Sequence, residues 1–162
     1  MAQGILYVSS GVPGSGKSTF LNRIKGDNEV VISRDEIRYS LLKQGEHYLA
    51  HEEEAFRIFC NTIAEYIKKG INVYADATHL TVVSREKLIT SIKRRCHPSK
   101  ICLLLFTVPL KICLERNEMR KGTKTYVDED RIIQMSKQFN LNHDGFDACF
   151  TIDEEGHIQR II

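Results

Sequence analysis

The nine residues GVPGSGKST, at positions 11–19, constrain this chain more than any other stretch. They fit the pattern G-x-x-x-x-G-K-[ST], which chance should produce in roughly one chain of this length in a hundred. Glycines let such a loop fold so tightly that successive backbone N–H groups point at phosphate oxygens. An apolar run precedes the loop and an amphipathic stretch follows it, so the pattern predicts a strand, a phosphate-binding loop and a helix.

The side chains of this loop are expected to bind a nucleoside triphosphate, with ATP as the predicted cofactor. Lys17 should reach the β- and γ-phosphates, and the Ser18 hydroxyl should bind Mg²⁺. A glycine-rich turn that binds no phosphate is the alternative, and the complete motif in its strand and helix context disfavours it. The other members of the predicted ATP site are Gly11, Pro13, Gly14, Ser15, Gly16 and Thr19.

Short apolar runs alternate with longer amphipathic stretches along the rest of the chain. The runs ILYVSS, VVI, INVYAD, KICLLLF and ACFTID are typical of parallel strands buried on both faces. This alternation predicts an α/β fold of the P-loop NTPase class, with a doubly wound, mostly parallel sheet of about five strands. The final GHIQRII predicts either a short edge hairpin or a frayed tail. Helices are predicted over 17–24, 34–69 in two parts, 81–96, 109–119 and 128–139.

Length and composition fit one domain over residues 1–162. No apolar run reaches the roughly 20 residues of a membrane span, and the N-terminus lacks a signal-peptide pattern, so we expect a cytoplasmic protein. The five cysteines lie mostly in apolar tracts, which is typical of reduced thiols. Net charge is +2, but residues 85–124 carry eleven Lys and Arg against three Glu. This block predicts either a solvated face or a surface that attracts polyanions.

The stretch ISRDEIR, at positions 32–38, follows the second predicted strand. Ligands of doubly wound sheets bind beyond the carboxyl ends of the strands, so Asp35 is expected beside the phosphate loop, where a carboxylate can take a proton from an acceptor hydroxyl. Arg38 should share its helix face and could hold an acceptor phosphate. The alternative is that Asp35 is only an acid in a first helical turn. Ser33 and Glu36 form a capping-box pattern, which would leave Asp35 free for a substrate.

Two further features are candidates for the donor side. Asp76 ends the third strand and is either a Mg²⁺ ligand or a cap of the ATHLT turn. Arg116 and Arg120 precede a basic, glycine-containing loop, and residues 116–127 could form a lid that brings an arginine, with Arg120 as our candidate, to the transition-state charge. A basic loop that is merely solvated is the alternative.

The class of P-loop protein follows from what accompanies the loop. No N/TKxD base-recognition motif of a GTPase is present, and the third strand ends in one acid, Asp76, where an AAA-type machine needs two and a longer chain. A small kinase with donor, base and lid groups fits better.

The segments GVPGSGKST, SRDEIR, DATHL, VPLKICLERNEMRKGTK and VDEDRIIQMSKQF resemble, in order and spacing, the kinase domain of bacteriophage-type 5′-hydroxyl polynucleotide kinases over nearly the whole chain. The resemblance implies ATP- and Mg²⁺-dependent phosphorylation of the 5′-hydroxyl end of DNA or RNA. It implies these roles: Asp35 as general base, Arg38 on the 3′-phosphate of the acceptor, Lys17 and Ser18 on ATP and metal, Arg116 and Arg120 on the donor phosphates, and Thr78 near the acceptor. The D-x-D-x-T motif of the family's phosphatase domain is absent, so we expect no 3′-phosphatase activity.

Two other functions remain open at this point. One is a P-loop kinase of a small metabolite, nucleotide or antibiotic, which would have a closed acceptor pocket instead of Arg38 beside a basic channel. The other is a binding or regulatory protein in which ATP controls partner choice without catalysis. Neither function involves a membrane.

Overall fold

The computed structural model describes residues 2–162, which form one sheet in the order β2-β3-β1-β4-β5-β6. The predicted mostly parallel, doubly wound sheet is confirmed, and the C-terminal residues form the edge hairpin, which adds a sixth strand. Five strands are parallel and the sixth is antiparallel to β5: β1 (Leu6–Ser10), β2 (Glu29–Ser33), β3 (Asn72–Asp76), β4 (Ile101–Phe106), β5 (Ala148–Ile152) and β6 (Ile158–Arg160).

The predicted helices are also present among the described residues. The stretch 34–69 is divided into two helices by the loop 42–51, as its bipartite pattern predicts. Within residues 2–162, no helix is long and apolar enough to cross a membrane. Their bounds are α1 (Lys17–Ile24), α2 (Arg34–Leu41), α3 (Glu52–Lys68), α4 (Val82–Lys93), α5 (Leu110–Glu118) and α6 (Glu129–Gln138).

Helix starts show how local chemistry sets these bounds. The Ser33 hydroxyl accepts a hydrogen bond from the Glu36 backbone N–H at 3.2 Å, which caps α2. The reciprocal bond from Glu36 is not among the contacts of the described residues, so only half of the predicted capping box forms. A complete capping box begins α4, where Thr81 and Ser84 each bind the backbone of the other.

Both faces of the sheet are covered. On one face, apolar side chains of β1 and β4 pack with those of α3 and α4, including the fully buried Phe59 and Leu88. On the other face, Phe20 and Leu21 of α1 pack against side chains of β3 and β4. This two-sided burial explains why the strands read as continuous apolar runs. A third cluster joins Val12 of the phosphate loop to α5 and α6.

Arg85 of α4 is 2% exposed, and its partners are carbonyl and hydroxyl oxygens instead of carboxylates. Its guanidinium donates to Ser10 Oγ at 2.7 Å and to the carbonyl oxygens of His79, Asn140 and Asn142 at 2.9, 2.5 and 3.1 Å. Burial lowers the pKa of Arg85 from its ordinary value. The residue therefore ties the end of β1, the turn after β3 and the segment before β5 together.

Candidate active site

The phosphate loop lies between β1 and α1 with the geometry that the glycines predict. Gly14 and Gly16 have φ angles of +86° and +84°, a region that favours glycine. A Cβ on Gly14 would lie 2.4 Å from the Cys113 carbonyl oxygen, because α5 packs directly on the loop. No side chain caps the start of α1 at Gly16, so its first N–H groups are available to an anion.

Two side chains of the loop suit a bound triphosphate. Lys17 Nζ donates to the Val12 carbonyl at 3.3 Å, so the ammonium group lies across the loop. Desolvation lowers the pKa of Lys17, and the nearby Asp76 and Asp35 carboxylates oppose that shift. The Ser15 hydroxyl is buried and has no hydrogen-bond partner among residues 2–162. A buried donor without a partner, beside a cation and free helix N–H groups, fits phosphate oxygens.

The two predicted Mg²⁺ ligands are brought together at the same edge of the sheet. Ser18 Oγ donates to Asp76 Oδ2 at 2.6 Å. Asp76 is 5% exposed, and burial raises its pKa, while Lys17 and the Ser18 hydroxyl lower it. Hydroxyl and carboxylate oxygens are the hard ligands that Mg²⁺ prefers, so these residues fit a phosphate-bound Mg²⁺.

Asp35 and Arg38 lie on one face of α2, as their spacing predicts. Arg38 Nη1 donates to Asp35 Oδ1, and the Tyr48 hydroxyl donates to the same oxygen at 2.7 Å. Ser33 caps α2 as predicted, so Asp35 is not needed at the helix start, but its Oδ1 is held by Arg38 and Tyr48. The guanidinium of Arg38 also donates through Nε and Nη2 to Glu52, the latter at 3.1 Å. The Arg38 side chain is only 10% exposed, whereas that of Asp35 is 59% exposed.

Tyr48 and Glu52 were not predicted as site residues. Glu52 opens the acidic run EEE, which reads as first-turn acids of α3, and it holds Arg38. Tyr48 lies in the irregular loop 42–51, where no periodicity assigns a side chain to a face. The only local signal is one aromatic residue in a loop of mixed polarity, and this signal is weak without the fold.

One cleft of about 720 Å³ joins these groups. Tyr39 and Tyr48 lie in its wall with ring centroids 5.9 Å apart. The guanidinium of Arg38 is 4.6 Å and that of Arg131 5.9 Å from the Tyr48 ring centroid, and Lys124 Nζ is 5.0 Å from that of Tyr39. The predicted sites Pro13, Gly14, Gly16, Lys17, Ser18, Thr19, Asp35, Arg38, Asp76, Thr78 and Arg120 all line the cleft.

The basic block of residues 85–124 does not form one face toward this cleft. Arg120 and Lys124 are its members in the cleft lining, while Arg85 is buried on the carbonyl groups described above. The other cations of the lining, Arg34 and Arg131 among them, lie outside the block. The charge of the cleft therefore arises from folding, and the linear cluster does not predict it.

The predicted lid, residues 116–127, is tied together where it begins and ends. Asn117, 2% exposed, donates from Nδ2 to the Val127 carbonyl at 2.7 Å and accepts the Val127 N–H at Oδ1 at 3.0 Å. The Tyr39 hydroxyl donates to the Lys124 carbonyl at 2.9 Å, which joins the lid to α2. Arg120 lies in the cleft, whereas Arg116 donates to the carbonyl oxygens of Gly14 and Glu154 at 3.4 and 3.0 Å.

Residues after β3 are hydrogen-bonded to the end of β1 and to the phosphate loop. The Thr78 carbonyl accepts the N–H of Gly11 at 3.0 Å. His79 has a φ of +39° and is 3% exposed, with Nδ1 2.9 Å from the Ser9 carbonyl oxygen. Burial lowers the pKa of His79 to about 4. His79 is therefore buried in the interior and stays neutral near pH 7.

Fold and site together define a kinase-type P-loop domain, a nucleotide-binding domain whose groups suit phosphoryl transfer. A family model described as an AAA domain matches residues 6–141, and the chain belongs to that family. The sequence disfavours the large AAA-type machines, whose name this description shares. The matched residues are those of the P-loop kinase domain described above. No curated protein matches the sequence.

Several solved structures are similar. A chain of the Pnkp1/Rnl/Hen1 RNA repair complex is 23% identical with a TM-score of 0.74, over 91% of this chain and 47% of that one. This chain thus spans about half the length of that relative. Kti12 of Chaetomium thermophilum, in complex with ADP-AlF3, is 18% identical with a TM-score of 0.65, over 91% of this chain and 88% of that one. A gluconokinase of Sinorhizobium meliloti 1021 is 17% identical with a TM-score of 0.61, over 94% of this chain and 84% of that one. At these identities the likeness establishes the fold.

Proposed function

We propose that this chain transfers the γ-phosphoryl group of ATP to the 5′-hydroxyl end of DNA or RNA. The observation that carries the proposal is one cleft that joins the phosphate loop to Asp35 and to a lining of cations and tyrosines. Guanidinium and ammonium groups bind backbone phosphates, and tyrosine rings stack on unpaired bases. The motif resemblance to phage-type polynucleotide kinases and the similarity to a chain from an RNA repair complex both support this substrate class.

Each group has a role in an in-line transfer. Bound Mg²⁺-ATP would supply an electrophilic γ-phosphoryl group and an ADP leaving group. Asp35 accepts the proton of the acceptor hydroxyl as that oxygen bonds to phosphorus and the bond to the β–γ bridging oxygen breaks. Lys17 and Arg120 neutralise charge on the transferring group, and Ser18 and Asp76 would hold Mg²⁺. Arg38 orients the acceptor, and Thr78 and Arg116 support the acceptor and donor sides.

The decisive experiment compares matched acceptors. The protein is incubated with γ-labelled ATP, Mg²⁺ and one oligonucleotide bearing either a 5′-hydroxyl or a 5′-phosphate, as DNA and as RNA, together with a panel of small alcohols. Label is expected only on the 5′-hydroxyl oligonucleotides, and a Lys17→Ala preparation should give none. Transfer confined to small alcohols overturns the nucleic-acid assignment.

A second function, a kinase of an uncharged small alcohol, is favoured by two observations. Glu52 occupies two of the donors through which Arg38 would bind a phosphate, and its carboxylate repels an anion at that place. The cleft volume also lies in the range of small-molecule pockets. The two functions differ in one measurement. If the chain phosphorylates nucleic-acid ends, Arg38→Ala should raise the KM of acceptors that carry a phosphate next to the reacting hydroxyl. The KM of acceptors without that phosphate should not change.

A further inference from the structure

The two carboxylate oxygens of Asp35 differ in their surroundings. Oδ1 accepts hydrogen bonds from Arg38 Nη1 and from the Tyr48 hydroxyl. Oδ2 accepts none from residues 2–162, and the side chain is 59% exposed to the cleft. One oxygen is therefore held while the other can receive a hydrogen bond from a ligand.

The phenol that holds Oδ1 is itself fixed, although it comes from a loop. Arg38 lies over the Tyr48 ring from α2, and the Arg131 guanidinium approaches the same ring from α6. Arg38 also donates from Nη1 to the Tyr48 oxygen at 2.6 Å and is fixed in turn by Glu52. Cation–π contacts and charge-assisted hydrogen bonds of this kind restrict a ring to one orientation.

Tyr48 can serve Asp35 only as a hydrogen-bond donor. Burial, followed by the hydrogen bond to Asp35, raises the pKa of Tyr48 well above its ordinary value. The phenol is therefore protonated throughout the neutral range and does not compete with Asp35 for a proton.

We propose that Tyr48 is a positioning residue, which holds Oδ1 of Asp35 and so makes Oδ2 the atom that accepts the proton of the acceptor hydroxyl. In that step the O–H proton passes to Oδ2, the acceptor oxygen forms its bond to the γ-phosphorus of ATP, and the electron pair of the broken P–O bond leaves with ADP. The inference rests on the proposed function in needing a hydroxyl acceptor, and it holds for a nucleic-acid end and for a small alcohol alike.

The kinetic test is Tyr48→Phe, which removes the hydroxyl and keeps the ring. We expect kcat to fall about tenfold, the loss of roughly one hydrogen bond, with the KM of ATP and of the acceptor near wild type. Tyr66→Phe, on α3 outside the cleft lining, is the matched control and should leave kcat unchanged. An unchanged kcat, or a raised kcat/KM for the acceptor, overturns the proposal, because the latter means that the phenol blocks the acceptor position.

A second test needs no acceptor and therefore separates this inference from the proposed function. In ligand-free protein, the ¹³Cζ resonance of Tyr48 reports the hydrogen bond of its phenol. Asp35→Ala is expected to move that resonance, and Asp76→Ala, which removes another cleft carboxylate, should leave it in place. If Asp35→Ala leaves the resonance unmoved, Tyr48 does not hold Asp35. If the resonance moves but no oligonucleotide is labelled, the substrate class alone is wrong, and the kinetic test is made with the alcohol that takes the label.

Discussion

On the predicted donor side of the cleft, nine consecutive residues form the phosphate loop. On the predicted acceptor side, Asp35 and Arg38 depend on Tyr48 from the loop 42–51 and on Glu52 at the start of α3. The donor side is mainly a backbone structure, set by φ angles and free N–H groups at the start of a helix. The acceptor side is a network of side chains. A site built from backbone tolerates almost no added atoms, whereas a side-chain network can be changed one hydrogen bond at a time.

The strongest test of the acceptor side is Asp35→Asn. We expect kcat to fall about 10³-fold with ATP affinity unchanged, because the amide cannot take a proton while the phosphate loop is untouched. Steady-state phosphoryl transfer and calorimetric ATP binding measure the two effects. Asp130→Asn, an acid in the first turn of α6, is the control. If the two variants lose equal activity, Asp35 is only a helix-end acid and the contrast between the sides fails.

The donor side is best tested by adding one methyl group. Gly14→Ala places a Cβ 2.4 Å from the Cys113 carbonyl oxygen and imposes a left-handed residue, so we expect a loss of about 3 kcal/mol in unfolding free energy and of ATP binding. Gly145→Ala has a similar φ, +86°, with nothing within 4 Å of the added Cβ, and should lose only about 1 kcal/mol. Denaturant unfolding measures both, and equal losses would show that the close contact does not matter.

A smaller effect is expected from Arg38→Lys, which keeps the charge and removes the planar fork. An ammonium group cannot replace the bonds to Asp35 and Glu52 together, so we expect the acceptor KM to rise about tenfold while the ATP KM stays constant. Arg57→Lys changes an arginine of α3 outside the cleft lining, and it serves as the control in the same kinetic assay. A change confined to the ATP KM would move Arg38 to the donor side.

The smallest effect is expected at His79, which is buried beside the end of β1. Its pKa of about 4 is below the unfolded value of about 6.5, so the folded state binds fewer protons between these values. The contribution of neutral His79 to the free energy of unfolding is therefore fully present above pH 6.5 and is lost as the pH falls toward 4. The free energy of unfolding should be lower by about 1 kcal/mol at pH 5.5. His79→Asn, which tolerates a positive φ, should flatten this part of the stability profile. Unfolding at pH 7.5 and 5.5 measures it, and an unchanged slope would contradict the assignment.

The sequence predicts most of the fold and the part of the cleft that the phosphate loop, Ser18 and Asp76 form. Parallel strands buried on both faces and a contiguous loop motif leave local patterns, and the end of β3 places Asp76 beside Ser18 by a general rule of such sheets. Tyr48 was not predictable, because an irregular loop sets its direction. The burial of Arg85 was missed for a different reason: a linear block of charge does not tell which cations find carbonyl groups in the interior.

Arg85 also has a consequence for the order in which the chain acquires its structure. Its oxygen partners come from residues 10, 79–80 and 140–142, so they surround the guanidinium only after three distant segments have met. Removing a cation from water before those partners are assembled is costly. We therefore expect the network to form late in folding, after the main barrier. Interactions that form after the barrier slow unfolding more than they speed folding, so we expect Arg85 to prolong the lifetime of the native state.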